Sequence, residues 1–285
     1  MTRPVLIITD LDRTLIFTPR ATAQLGGALP ADPVETSRTR DAAAELSHAA
    51  RDALAALPGH VRICVATTRS VARLARLRLP FAARYSIAAN GGVVLDGGVP
   101  DAGWAARTAQ LLARSAPAAD LRTTLARCAR AVGRAGTSWL ERFGDNDDMC
   151  CEAIVRPELL GTERFASLAG RCAELGWQAS LTGRKLYAFP TGFGKEHAAA
   201  FVAGKVARDA GTEPLRLAAG DAEHDRYMLA GADLAWVPAG SELARAWPEA
   251  DHGGDVAVTC RPGHAAAAQI AGEWLEICQG GRRAR

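Results

Sequence analysis

Short apolar runs, rich in β-branched and small residues, recur along the chain at Val5–Thr9, Val61–Ala66, Tyr85–Ala89, Leu215–Ala219 and Leu234–Val237. Runs of this length without polar alternation read as strands buried on both faces, as in a parallel sheet. Between them the spacing predicts a helix over roughly Arg40–Leu57 and another near Val71–Leu77, and the chain closes with a strand and helix over Val256–Cys278. Strand and helix alternate up to Asp96 and again from residue 190 onward, which predicts one doubly wound, Rossmann-like parallel α/β core from residues 1–96 and 190–285.

The pattern changes over residues 97–189. Two helices, Trp104–Ser115 and Asp120–Gly133, precede strand-like runs at Thr137–Arg142 and Cys150–Val155. A helix near Glu163–Leu175 then leads into a hairpin, Gln178–Leu181 and Lys185–Phe189, turned at Thr182-Gly183. Consecutive antiparallel strands with segregated helices describe an inserted α+β domain. Residues 18–39 are polar and broken by Pro19, Gly26-Gly27, Pro30 and Pro33. A stretch of that kind inside a compact domain reads as irregular, and either functional or disordered.

Composition narrows the class. The chain has 285 residues, 48% of them apolar, enough for two domains with real cores. A formal charge of +3 gives no special attraction to nucleic acid, and Arg282-Arg283-Ala284-Arg285 reads as a frayed tail. No apolar segment is long enough to span a membrane, and no secretory leader precedes the first strand. Seven cysteines without a CxxC pair read as reduced thiols. The expectation is a cytoplasmic protein, monomer or homodimer, with no nucleic-acid or membrane partner.

The chemistry gathers at strand ends. The first strand runs into Asp10-Leu11-Asp12-Arg13-Thr14, two carboxylates at the carboxyl end of a core strand, where open α/β sheets bind ligands. Alone, the pair is equally well a loop acid and a helix cap. Thr67-Thr68-Arg69 follows the second strand, Lys195 opens a helix after Thr191-Gly192-Phe193-Gly194, and Gly220-Asp221-Ala222-Glu223-His224-Asp225 follows the Leu215 strand. Thr14 is suited to capping the turn after the first acids. Lys195 is conspicuous because the chain has only two other lysines, Lys185 and Lys205. Carboxylates at Asp221 and Asp225 share one helical face and gain from a hard cation with oxygen ligands, for which Mg²⁺ is suited.

These four blocks, in this order, resemble the four motifs of the haloacid dehalogenase superfamily of phosphohydrolases. The resemblance implies that Asp10 is a nucleophile forming an aspartyl-phosphate and that Asp12 is the general acid/base. It implies that Thr67, Thr68 and Lys195 hold the phosphoryl group, and that Asp10, the Asp12 carbonyl, Asp221 and Asp225 bind Mg²⁺. Arg13 departs from the glycine often found at its place, and His224 stands where relatives often have Asn, as a tolerated polar residue or one tuning charge near neutral pH. Asn90-Gly91 resembles the turn before the insertion in the Cof-type branch, whose α+β insertion is a mobile C2-type cap that excludes water on closing; by residues alone it is a tight hairpin turn.

Substrate candidates are Asn90, Arg69, and in the insertion Arg184 and Lys185, with Arg142 beside them; Asp145, Asn146, Asp147 and Asp148 are candidates for sugar hydroxyls. Taken singly, each charged residue of the insertion is equally a solvated surface group. The implied activity is a phosphoric monoester hydrolase acting on a small phosphorylated metabolite, a sugar phosphate by the likeness of the cap to sucrose-phosphate and mannosylphosphoglycerate phosphatases. A phosphomutase and a non-catalytic phosphometabolite-binding protein stay open. A dehalogenase is disfavoured, because hydrolysis at carbon needs none of Asp12, Asp221 or Asp225.

Overall fold

A computed structural model of the chain describes residues 3–38, 43–130, 138–144, 148–247 and 255–280. Two compact units result, one from Met1–Pro100 and Gly194–Arg285, the other from Asp101–Phe193. In chain order the first unit begins with β1 (Val5–Thr9), α1 (Pro19–Gln24), β2 (Val34–Arg38), β3 (Ala43–Leu46), α2 (His48–Ala55) and β4 (Arg62–Ala66). It continues with α3 (Val71–Leu74), β5 (Tyr85–Ala88), β6 (Val93–Asp96) and β7 (Val99–Pro100). The second unit holds α4 (Ala102–Leu112), α5 (Ala118–Arg130), β8 (Leu140–Phe143), β9 (Cys151–Val155), α6 (Pro157–Glu174), β10 (Trp177–Thr182) and β11 (Lys185–Pro190). The chain returns to the first unit through α7 (Lys195–Ala210), β12 (Leu215–Ala219), α8 (Arg226–Ala230), β13 (Leu234–Val237), α9 (Glu242–Ala246), β14 (Asp255–Val258) and α10 (His264–Cys278).

The large sheet has the order β14-β13-β12-β1-β4-β5-β6-β7, parallel from β14 to β5 and antiparallel at β6 and β7. Every residue of β1 is buried, as its unbroken apolar run requires. Ile7, Val65, Leu217 and Trp236 face a core shared with Leu54 of α2 and Ile270 and Trp274 of α10. Trp236 and Trp274 meet edge to face with centroids 6.1 Å apart, and the Trp236 indole N–H donates to Glu273 Oε2 at 2.7 Å. Helices α7 and α8 contact the sheet at β1, β5, β12 and β13. The chain leaves β1 toward β4 on one side and reaches β12 on the other, so the carboxyl end of β1 is a topological switch point.

In the second unit the sheet order is β10-β11-β9-β8, antiparallel throughout. Cys151, Ala153, Trp177 and Leu186 turn toward Leu125 of α5 and Leu168 of α6. Cys150, Tyr187, Phe189 and Phe193 form a separate cluster. The adjacent Cys150 and Cys151 therefore serve different clusters, as strand alternation dictates. All seven cysteines are free thiols.

Two sequence expectations are corrected. The Arg40–Leu57 helix is confined to His48–Ala55, because Ser47 caps it by accepting from Ala50 N and Ala43–Leu46 pairs as β3 with β2. Tertiary pairing outweighs the helix preference of Ala, Glu and Leu there; residues 40–42 lie outside those described. The 18–39 segment is likewise more regular than expected, holding α1, capped by Thr18, and β2. Elsewhere ends shift by a few residues, with α6 starting earlier, at Pro157, and α3 ending at Leu74. The predicted ends at Gly133 and Thr137, the residues Asp145, Asn146 and Asp147, and the Arg-rich tail lie outside the described residues.

The turn from β5 to β6 is unusually tight. Ala89, Asn90 and Gly91 all have positive φ, and a Cβ on Gly91 would meet the Gly194 carbonyl oxygen at 2.3 Å. Gly91→Ala is expected to destabilise the fold by about 2–4 kcal/mol through strain and overpacking. An unchanged urea midpoint would contradict this reading.

Candidate active site

The ends of two strands and the start of a helix converge on one buried charge cluster. Asp10 follows β1, its backbone N–H donating to the Ala219 carbonyl at 2.9 Å, which brings the first acid beside the turn after β12. Lys195, the first residue of α7, is 1% exposed. Its Nζ donates to Asp10 Oδ1 and to Asp225 Oδ1, both at 2.7 Å. Asp225 is equally buried, and its other oxygen accepts from the backbone N–H groups of Asp221 and Ala222 at 3.1 Å. That approach needs Gly220, since a Cβ there would stand 2.4 Å from Asp225 Cβ. Thr14 does not cap a helix; its hydroxyl donates to Asp10 Oδ2 at 3.2 Å and fixes the carboxylate. Asp10, Asp221 and Asp225 offer oxygens within 4.8 Å of one another, and all three residues are buried.

The electrostatics follow from that geometry. Burial, opposed by Lys195 and aided by Asp225 and Asp12, pushes the Asp10 carboxyl up to about 7. Burial also raises Asp221 well above the usual carboxylate range, with Asp10 and Asp225 adding to the rise and Arg13 and Lys195 opposing it. For Lys195, burial works against the charge, yet the two carboxylates win and hold the ammonium above its ordinary value. Crowded carboxylates with a single shared ammonium fit a hard divalent cation. Asp221, with no side-chain hydrogen bond among the described residues, is the acid most available to it.

Around this centre the sequence-derived candidates divide. Asp12 is half-exposed and forms a two-point pair with Arg69, with Nε to Oδ2 and Nη2 to Oδ1 both at 2.7 Å. Arg69, expected as a substrate contact, is thus engaged by an acid of the first motif, a pairing across 57 positions that nothing in the local sequence signals. Thr67 is buried after β4; its hydroxyl accepts from Arg69 N at 3.1 Å, and Thr68 beside it is partly exposed. Asn90 is buried with its side-chain oxygen unpaired. The His224 imidazole is pushed down to about 4 by burial and the Lys195 charge, so it is neutral at neutral pH and tunes no charge there.

Arg184 and Lys185 belong to the second unit. Arg184 Nη2 donates to both Glu141 oxygens at 2.6 Å, and Lys185 lies 3.7 Å from Glu152 and over the Tyr187 ring. Both have structural partners inside their own unit. A cavity of about 880 Å³, lined by Leu54, Arg62, Phe81, Arg84 and Tyr85 among others, opens at the amino ends of β4 and β5. That is the opposite end of these strands from Thr67.

Fold and topology are those of the haloacid dehalogenase-like hydrolases: an α/β core with a mostly parallel sheet and an inserted α+β unit. Among solved structures, the sucrose-phosphatase of Synechocystis, crystallised with sucrose and phosphate, superimposes with a TM-score of 0.60 at 16% identity, covering 98% of both chains. The Thermoplasma acidophilum protein 0175 gives 0.61 at 14% identity, covering 98% of this chain and 99% of the other. A haloacid dehalogenase-like hydrolase from Bacteroides thetaiotaomicron gives 0.55 at 15%, covering 96% and 99%. No family model matches the sequence, and no curated protein matches it.

The raised Asp10 carboxyl has a measurable consequence. Between its ordinary 3.8 and about 7 the folded state binds the extra proton, so this group's contribution to stability is full at the acid end and is lost as pH rises through about 7. Metal-free protein in chelator is expected to lose stability over that window, and Asp10→Asn to flatten the slope. Identical slopes for the two proteins in denaturant titrations would refute the assignment.

Proposed function

We propose that this chain is a Mg²⁺-dependent phosphatase that hydrolyses a small phosphorylated metabolite through an aspartyl-phosphate on Asp10. The observation that carries the reading is the buried Lys195 ammonium joining Asp10 to Asp225, with Asp221 alongside. Burying an ammonium among three carboxylates costs stability that a merely structural core would avoid. The arrangement is suited to binding a dianionic phosphoryl group and losing it again.

In this reading the Asp10 carboxylate attacks phosphorus, and its new P–O bond forms as the bond to the leaving oxygen breaks. Lys195 and Thr14 hold that carboxylate in one orientation. Asp12 gives its proton to the leaving oxygen, then takes one from the water that releases phosphate. For that, its pair with Arg69 must open, so Arg69 sets the resting position of the acid/base. The Thr67 hydroxyl and the Thr68 turn would donate to phosphoryl oxygens. Asp10, the Asp12 carbonyl and Asp221 would hold Mg²⁺ directly, with Asp225 ordering them from behind through its bonds to Lys195 and to the Asp221 N–H. When bound, the cation would offset charge on the phosphoryl oxygens. A phosphorylated sugar is the first substrate class, by the likeness of fold to a sucrose-phosphatase. Residues 101–193 would then be the cap. No described helix is long and apolar enough to cross a membrane, and a cytoplasmic setting is part of the proposal.

The test is phosphate release by purified protein from phosphorylated sugars, polyols and nucleotides, with and without Mg²⁺. Mg²⁺-dependent release is expected, abolished by Asp10→Asn and slowed about 10²–10⁴-fold by Asp12→Ala, both folding normally. Formation of an isomer without free phosphate would instead identify a mutase. Mg²⁺ should also raise the melting temperature more at about pH 8 than at about pH 5, because its ligands must lose protons. No thermal shift at either pH would argue against the cation site.

A further inference from the structure

Arg13 stands between the two acids of the first motif and Thr14, and it is strained. Its φ is +67°, a left-handed conformation that costs an L-residue other than glycine roughly 1–2 kcal/mol. The turn itself, closed by Arg13 N donating to the Ile16 carbonyl at 2.8 Å, would be better served by glycine. The side chain is nevertheless held in place: Nη2 donates to Gln24 Oε1 of α1 at 2.6 Å. Gln24 is neutral, and among the described residues no carboxylate lies within ion-pair distance of this guanidinium. Its Nε and Nη1 have no partner among the described residues, and the residue is partly exposed. Arg13 lies in the loop at the carboxyl end of β1, next to Asp12 and three residues after Asp10. Arg69, by contrast, has its fork filled by Asp12, and Lys195 is filled by Asp10 and Asp225.

We propose that Arg13 is a specificity-determining residue, whose free guanidinium edge binds a second anionic group, a carboxylate or a second phosphate, on the substrate. The inference rests on the phosphatase reading and sharpens its substrate class from a neutral sugar phosphate to a phosphate ester bearing another negative charge. Gln24 takes one of the two Nη2 hydrogens, so the planar guanidinium keeps one open edge, formed by the other Nη2–H with Nε–H or Nη1–H, that matches the two oxygens of such a group. The 18–39 segment then acquires a role, since α1 supplies the amide oxygen that steadies the guanidinium. Backbone strain retained next to the reacting acids is accounted for by the ligand it serves.

The test reads equilibrium binding, in the presence of Mg²⁺, to protein carrying Asp10→Asn, so that substrate persists. Two ligand pairs that differ chiefly in the added charge serve as probes: phosphoglycerate against glycerol phosphate for a carboxylate, and fructose bisphosphate against fructose monophosphate for a phosphate. The more anionic member of at least one pair should bind about tenfold or more tightly, as expected for a charge-assisted hydrogen bond. Which pair responds identifies the group. Adding Arg13→Gln should collapse that ratio. Arg13→Gly should do the same while leaving the melting temperature equal or higher, because glycine relieves the strain. The inference is overturned if neither pair shows a preference, or if the preference survives in both Arg13 variants. Failure of the phosphatase reading shows differently: wild-type protein that binds these esters and releases no phosphate from any of them.

Discussion

The structure turns on one buried ammonium. Lys195 is almost fully enclosed, and its charge persists there only because Asp10 and Asp225 each meet it at 2.7 Å. Remove it and two buried carboxylates face each other with no cation between them, a cost that the packing would have to absorb. Keep it, and the first acid, the fourth-motif acids and the start of α7 are fixed to one point. Asp225 passes the constraint on through its second oxygen to the turn after β12, and Gly220 makes the room for it. The cluster is thus both an architectural joint and a concentration of buried charge.

The sheet explains why these residues can meet at all. β1 lies between β12 and β4, so three strand ends deliver Asp10, Asp221 and Thr67 to one edge, although they are far apart in sequence. The parallel strands are held largely by apolar side chains, and the buried acids Asp10, Asp221 and Asp225 follow their carboxyl ends. Packing fixes the scaffold, leaving the loops free to carry strain at Arg13, Ala89 and Asn90.

Much of this was legible in the chain itself, because unbroken apolar runs and the acids that follow them are local signals. Asp10, Asp221, Asp225 and Lys195 each sit at a strand or helix end that the pattern marks, and the structure brings all four together. What could not be read is long-range. Arg69 looks like a free cation until β4 is laid beside β1 and its fork closes on Asp12. Thr14 looks like a cap until the turn curls back onto Asp10. The pairing of β2 with β3 hides behind the helix-favouring residues of Ala43–Leu46, since only the partner strand reveals them as strand. His224, read in the sequence as a tolerated polar residue or one tuning charge near neutral pH, has its imidazole pushed down by burial and the Lys195 charge.

The central claim is that Asp10, oriented by Lys195, receives the phosphoryl group. The most direct measurement is to quench turnover of a phosphorylated substrate with acid and weigh the peptides. A phosphoryl group on the peptide carrying Asp10, absent when substrate is omitted, is the result this account predicts. Steady phosphate release with no adduct on that peptide, or with the adduct on another residue, would contradict it.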